Sequence, residues 1–246
     1  MSMNPPVHFN RGVIEPIACV KEGWALVKDR YWVFFGVVAL GLLIASFVPM
    51  AVLMGPMFCG IYLTYFSHRR NQPVELGTLF RGFDYFGQSL IATLIHIVPL
   101  MVVLLPAYIL SYAAFFVLLA SQGNNPEPSV VFGFIGIAVV FWLLIVLVIL
   151  FVSVLFSFTY PLIVDRGLSG IDAVKLSSKA ALANFWRLLG LLLLQTLLGT
   201  VGALFCYVGA FFVLPITFGA LAVAYENVFG LAEVTPDLPP PPPTFT

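Results

Sequence analysis

The side chains of this 246-residue chain that could do chemistry are few and scattered. His8 lies in the N-terminal stretch, His68 beside Arg69 and Arg70, and His96 inside a long apolar run. An ionisable group in hydrocarbon is costly and is a functional candidate for that reason. His96 is therefore the one candidate functional residue within a crossing. The blander reading is a neutral imidazole hydrogen-bonded to a neighbouring helix, against a proton relay or ligand. Three isolated histidines without adjacent carboxylates form no metal cluster. Cys19, Cys59 and Cys206 have neither CxxC spacing nor an even count, which leaves packing as their expected role. Ser153, Ser157 and Thr159 have no general base nearby, and such hydroxyls in membrane helices usually bond to backbone. No phosphate-cradling Walker loop occurs. Gly36 and Gly41, or Gly190 and Gly199, are expected to let helices approach closely. The expectation is no catalytic, cofactor or metal site, and no enzyme.

The elements that position these residues are membrane helices. Hydrophobic residues make up 61% of the chain and charged ones 9%, against about 25% charged in a soluble domain. Tyr31–Phe66, Gln88–Pro126 and Ser129–Val164 carry no charge at all. About 20 apolar helical residues cross a bilayer. Six crossings are expected, at 31–48, 51–67, 88–120, 130–163, 188–206 and 208–227. The two middle ones exceed thirty residues and must tilt, protrude or break, with Pro99 and Pro106 as candidate kink points. Arg69, Arg70, Arg81, Lys175, Lys179 and Arg187 then share one side with the cations before residue 31. The other side receives turns near Pro49 and Tyr207 and the loop Ser121–Ser129. Short cationic loops stay cytoplasmic, so both termini are expected inside. The first apolar run begins only at Tyr31, so no cleavable signal peptide is expected. Zero net charge predicts no nucleic-acid partner.

Three segments read as amphipathic interfacial helices, at 12–28, 75–87 and 168–184. In the first, Val13, Ile17, Val20, Trp24, Val27 and Tyr31 recur at helical spacing. In the second, Leu79, Phe80, Phe83 and Phe86 face the interface while Arg81 and Asp84 face water. In the third, Ser169 and Asp172 have capping-box spacing ahead of an Ile171, Val174, Ala181 and Phe185 stripe. Trp24, Trp32, Phe80, Phe83 and Trp186 are the expected membrane-interface anchors. The first and third segments also match in order: Ile17 with Ile171, Lys21 with Lys175, Trp32 with Trp186, Gly36 with Gly190 and, after a five-residue insertion, Pro56 with Pro215 and Gly60 with Gly219. A parallel internal repeat follows, 12–67 and 168–227, around a long hairpin at 88–163. Residues 229–246 are a Pro-rich tail. Pro239–Pro243 favours an extended polyproline II conformation, either a ligandless disordered end or a peptide for a partner's aromatic groove.

Gly55-Pro56 with Gly60, then Arg69-Arg70 and the run Leu79–Phe83, resembles an uncharacterised family of bacterial multi-pass membrane proteins. Ala180–Asn184, Phe185-Trp186, Gly190, Pro215 and Ala224-Tyr225 look similar to the same group. That group is itself similar to the membrane domain attached to some glycerophosphodiester phosphodiesterases. The resemblance covers most of 12–228 and implies a bacterial inner-membrane, six-helix bundle with no catalytic residue attached.

The expected fold is an all-α polytopic bundle. The expected function is a structural, assembly or membrane-organising role, with membrane lipids, other membrane proteins or a second copy as partners. The alternative is a transporter or lipid-handling protein with an apolar cavity between the two repeats. It lacks a mid-membrane carboxylate to couple ions.

Overall fold

The computed structural model describes residues 8–47, 52–122, 127–204 and 208–232. Pro49, Cys206, Tyr207, most of the loop before Pro128 and the Pro-rich tail past Ala232 lie outside the described residues. Every regular element among the described residues is helical: α1 (Pro16–Val27), α2 (Tyr31–Phe47), α3 (Met54–Arg69), a 3-10 helix (Leu76–Tyr85), α4 (Phe86–Gln122), α5 (Pro128–Phe156), α6 (Thr159–Arg166), α7 (Gly170–Ala183), α8 (Phe185–Ala203) and α9 (Val208–Phe229). Five helical stretches are long and apolar enough to cross a membrane: Pro16–Ser46, Leu76–Leu118, Pro128–Arg166, Phe185–Ala203 and Gly209–Phe229. Helices of that length and composition are those of a membrane protein.

The expected second crossing, α3, is not among those five. It has 16 residues, and an unbroken run from Gly55 to Ser67 is buried except for half-buried Phe58. It is the centre of the bundle, touched by α2, α4, α6, α9 and the 3-10 helix. Its neighbours supply the apolar surroundings, so its own sequence can carry Thr64, Ser67 and two glycines. Thr64 Oγ1 donates to the Gly60 carbonyl 2.9 Å away, which closes one such polar group locally.

Three helices begin new stretches of chain by running antiparallel along an earlier or later helix. Along α9, α1 brings Cys19 to Asn227, Gly23 to Ala220 and Tyr31 to Phe212. Along α3, the 3-10 helix brings Leu79 to Gly60 and Gly82 to Pro56, and Ser89 of α4 reaches Gly55. Along α6 and the end of α5, α7 brings Ser177 to Leu155 and Phe158, and Phe185 meets Phe151.

Two of these seams are closed by glycine. A Cβ on Gly23 would stand 2.5 Å from the Ala220 amide nitrogen, and one on Gly82 would collide with the Pro56 carbonyl and the Gly60 nitrogen. Backbone atoms cannot step aside, so only hydrogen fits there. At the third seam Ser177 takes the place that Gly23 has in the sequence match. Its hydroxyl donates to the Leu155 carbonyl (2.7 Å) and accepts from the Phe158 amide (3.1 Å). These groups are left free where α5 breaks from α6.

The glycines expected to admit close approach behave differently. Gly36 and Gly41 meet only flexible ends of Leu76, Ile61 and Leu79, Gly190 is in ordinary contact with Pro16, and Gly199 faces open space. Most of the tight contacts fall instead where a short helix lies along a long one, Gly202 of α8 against Gly209 of α9 being an exception.

Candidate functional site

The C-terminal ends of α3, α6 and α9 converge, and a fully buried carboxylate joins them. Each helix is stopped by a left-handed residue: Asn71 (φ 55°), Gly167 (φ 61°) and Gly230 (φ 67°). Gly167 N closes on the Ile163 carbonyl at 3.0 Å, and Gly230 N on that of Glu226 at 2.7 Å. Stopping there leaves carbonyl ends that attract cations. Arg69, Arg70 and Arg166 supply them.

Asp165, in the last turn of α6, has no exposed side-chain surface. Its Oδ1 accepts from Arg70 at 2.5 Å, and its Oδ2 from the Tyr225 hydroxyl at 2.7 Å. The Ala232 amide donates to both oxygens (3.2 and 3.1 Å), and Arg166 Nε stands 3.8 Å away. Arg166 in turn donates to the carbonyls of Phe229 (2.7 Å) and Gly230 (3.2 Å). Arg69 grips Glu226 through Nε and a terminal nitrogen, 2.5–2.9 Å. That hydrogen bond with Glu226 holds the Arg69 guanidinium above its ordinary pKa. A carboxylate with two guanidiniums, a phenol and an amide around it is saturated as an acceptor. It has the makeup of a clamp on three helix ends.

A second tie fixes the N-terminal segment. Buried Asn184 accepts from Gly12 N at 2.6 Å and donates to the carbonyls of Asn10 (3.2 Å) and Ala180 (3.1 Å). Arg187 donates to the Ile14 carbonyl at 3.2 Å. A third polar group joins α4 to α6, where Thr93 Oγ1 lies 3.0 Å from the Tyr160 hydroxyl and donates to the Ser89 carbonyl at 2.7 Å.

The residues singled out in the sequence take these places. Trp24, Trp32, Phe80, Phe83 and Trp186 are all exposed, Trp186 at 80%. Leu79, grouped with Phe80 and Phe83 as interfacial, is fully buried, because it fits beneath the glycine of α3. Arg81, Lys175 and Lys179 are exposed, whereas Arg69 and Arg70 are engaged in the ion pairs above. His96 meets the next helix through its face. It stacks on Phe156 with ring centroids 4.4 Å apart. Ser157 bonds back to the Ser153 carbonyl at 2.8 Å, and buried Thr159 Oγ1 has no partner among the described residues. Cys19 and Cys59 are buried thiols. No three of His, Cys, Asp and Glu among the described residues are grouped to hold a metal ion.

Sequence reasoning did not single out Asp165. Its signal was present all the same: a carboxylate next to Arg166 and Gly167, directly after 37 uncharged residues. No family model, curated protein or solved structure matches the chain.

Proposed function

We propose that this chain is a non-enzymatic structural or membrane-organising protein of the bacterial inner membrane, built from three helical hairpins locked at their cytoplasmic ends. The observation that carries the reading is the use made of polar groups. Asp165, Arg70, Tyr225 and Asn184 are all spent on holding chain ends together, which leaves no free acid, base or nucleophile among them.

The crossings number six in this reading, with α3 as the sixth, sheltered from lipid by its neighbours. Each hairpin is entered through a helix that lies along the closing helix of another: α1 on α9, the 3-10 helix on α3, α7 on α6. The repeat then has three members, and the middle one is disguised by its long α4 and α5. Arg69 and Arg70 at the α3 end and Arg166 at the α6 end support a cytoplasmic location for those ends and for both termini. The exposed Trp24, Trp32, Phe80, Phe83 and Trp186 support headgroup-level anchoring of the entry helices. The bacterial inner membrane follows from the family resemblance.

A lipid-handling cavity between α3 and α9 finds less support. Tyr65 donates to the Pro215 carbonyl at 2.6 Å, and Phe58 and Tyr62 both meet Phe218 with centroids 5.7 Å apart, so aromatic rings occupy that space. Purified protein in liposomes tests the choice. The reading expects neither lipid scrambling nor solute flux above empty vesicles, and either activity in proportion to protein would overturn it.

A further inference from the structure

The α4–α5 hairpin is longer than the other two, and its excess is apolar. Counted from the equivalent seam residues, Phe47 ends α2 24 residues past Gly23, and Ala203 ends α8 26 residues past Ser177. Gln122 ends α4 40 residues past Gly82. The difference is about 20–25 Å of helix at 1.5 Å per residue. Where α2 and α8 end, α4 has reached Pro106–Tyr108.

Exposed Tyr108 and Tyr112, with hydroxyls 2.9 Å apart, stand at that height or one turn beyond. Exposed Trp142 belongs to the returning helix at a similar distance from its cytoplasmic end. Such residues mark a headgroup boundary. What lies past them is an uncharged stretch of α4 and the first half of α5.

This projection is held together by one thin seam. From Met101 to Leu118 only Leu104, Ala107, Ser111 and Leu118 are shielded, and on α5 only Val131, Phe134, Ala138, Phe141 and Ile145 between Pro128 and Val148. Both sets have the three-four spacing of a two-helix seam. All remaining faces are open. Ile109, Leu110, Phe116, Val117, Phe132 and Ile137 are 63–73% exposed. One flank of α5 carries a shallow, open and entirely apolar groove of about 360 Å³, lined by Ile135, Ala138, Val139, Trp142, Leu143 and Val146.

We propose that a second copy of this chain covers the projecting hairpin, seating a helix on the α5 groove. Fourteen large exposed side chains between Tyr108 and Trp142, spread over the open faces of both helices, offer about 1,400 Å² at roughly 100 Å² each, of which one partner would cover about half. A standard interface needs roughly 800 Å² per partner. The surface has no charge with which to select a charged partner, and an uncharged, self-similar surface suits a two-fold contact with its own copy.

Cross-linking of the full chain in its native membrane tests this. In a Cys206→Ala background, Ile137→Cys is compared with Leu197→Cys on α8, which is also exposed (59%). A short bis-maleimide is expected to give a dimer with Ile137→Cys at least fivefold stronger than with Leu197→Cys. Equal bands, or a monomer at both positions with Trp142 strongly quenched by doxyl lipid, would overturn the proposal. Val139→Trp, an exposed groove residue outside the seam, is expected to lower the Ile137→Cys dimer band at least fivefold, and an unchanged band would refute the groove as the seat. The inference rests on the membrane reading. Failure of that reading would appear separately, as extraction into detergent-free buffer.

Discussion

Replacing Asp165 by Leu removes the carboxylate that three helix ends share. It strips Arg70 of its 2.5 Å partner, the Tyr225 hydroxyl of its acceptor and the Ala232 amide of both of its acceptors. Breaking a buried ion pair by deleting one member costs about 3–5 kcal/mol, because the other charge is left unpaired. Asp165 has no exposed surface and Arg70 is 18% exposed, so water screens little of that loss. At roughly 2–4 °C per kcal/mol for a chain of this size, Asp165→Leu should lower the melting temperature by about 6–20 °C. Arg70→Met together with Asp165→Leu removes the orphaned Arg70 charge and leaves the Tyr225 phenol, the Ala232 amide and carbonyl, and Arg166 without their partner, the neutral groups at about 1–3 kcal/mol each. The double variant should therefore lose less than the two single losses added. Unfolding of the four proteins of this cycle in mixed micelles measures the coupling. A single Asp165→Leu within 1 kcal/mol of the parent, or strictly additive losses, would refute the clamp.

Gly82→Ala should destabilise by about 1–3 kcal/mol as an overpacked contact against α3. Gly77→Ala in the same 3-10 helix, with nothing within 4 Å, should be neutral or stabilising on the same unfolding curve. Ser177→Ala should cost about 1–3 kcal/mol, because the Leu155 carbonyl and Phe158 amide lose their partner in a buried place. Ser178→Ala, whose hydroxyl only bonds back to Val174, should stay within about 0.5 kcal/mol. His96→Phe preserves the stack on Phe156 and should leave stability and assembly unchanged from pH 5 to 8. A pH-dependent parent made insensitive by that change would restore His96 as a functional group.

Much of the helical frame is readable from the chain, because membrane helices carry their own signal. The expected third crossing, 88–120, became Phe86–Gln122, and the fifth, 188–206, became Phe185–Ala203 within the described residues. Charge-free length alone fixes such elements. Of the tilt, protrusion or break expected of the long fourth crossing, 130–163, the structure shows a break after Phe156. Nothing in its uniform hydropathy reports that break, which depends on Ser177 arriving from α7. The sequence of α3 is less apolar than that of the lipid-facing helices and carries Thr64, Ser67 and two glycines, but which neighbours bury it is not a local pattern. The entry helix α1 reads as amphipathic, yet the face it buries on α9 is Cys19, Gly23, Leu26 and Val27, while Ile17 and Trp24 of the expected stripe point outward. Gly23 makes the tightest contact, against the Ala220 backbone, and a stripe of large apolar residues does not report it.

Partners of the clamp lie 60 to 95 residues from Asp165 in the chain, beyond the reach of local pattern. Prolines 99 and 106 both fall inside the continuous α4. The Pro-rich tail and the turns near Pro49 and Tyr207 lie outside the described residues.

Sidedness is the claim on which the remaining account depends, and accessibility in intact cells measures it. Gln72→Cys, in the exposed turn after α3, and Ser129→Cys, in the first turn of α5, would be treated in turn with a membrane-impermeant maleimide. Ser129→Cys should react on whole cells, and Gln72→Cys only once the membrane is opened. Reaction of Gln72→Cys from outside an intact cell would place the Arg70–Asp165 clamp on the wrong face of the bilayer and contradict the account.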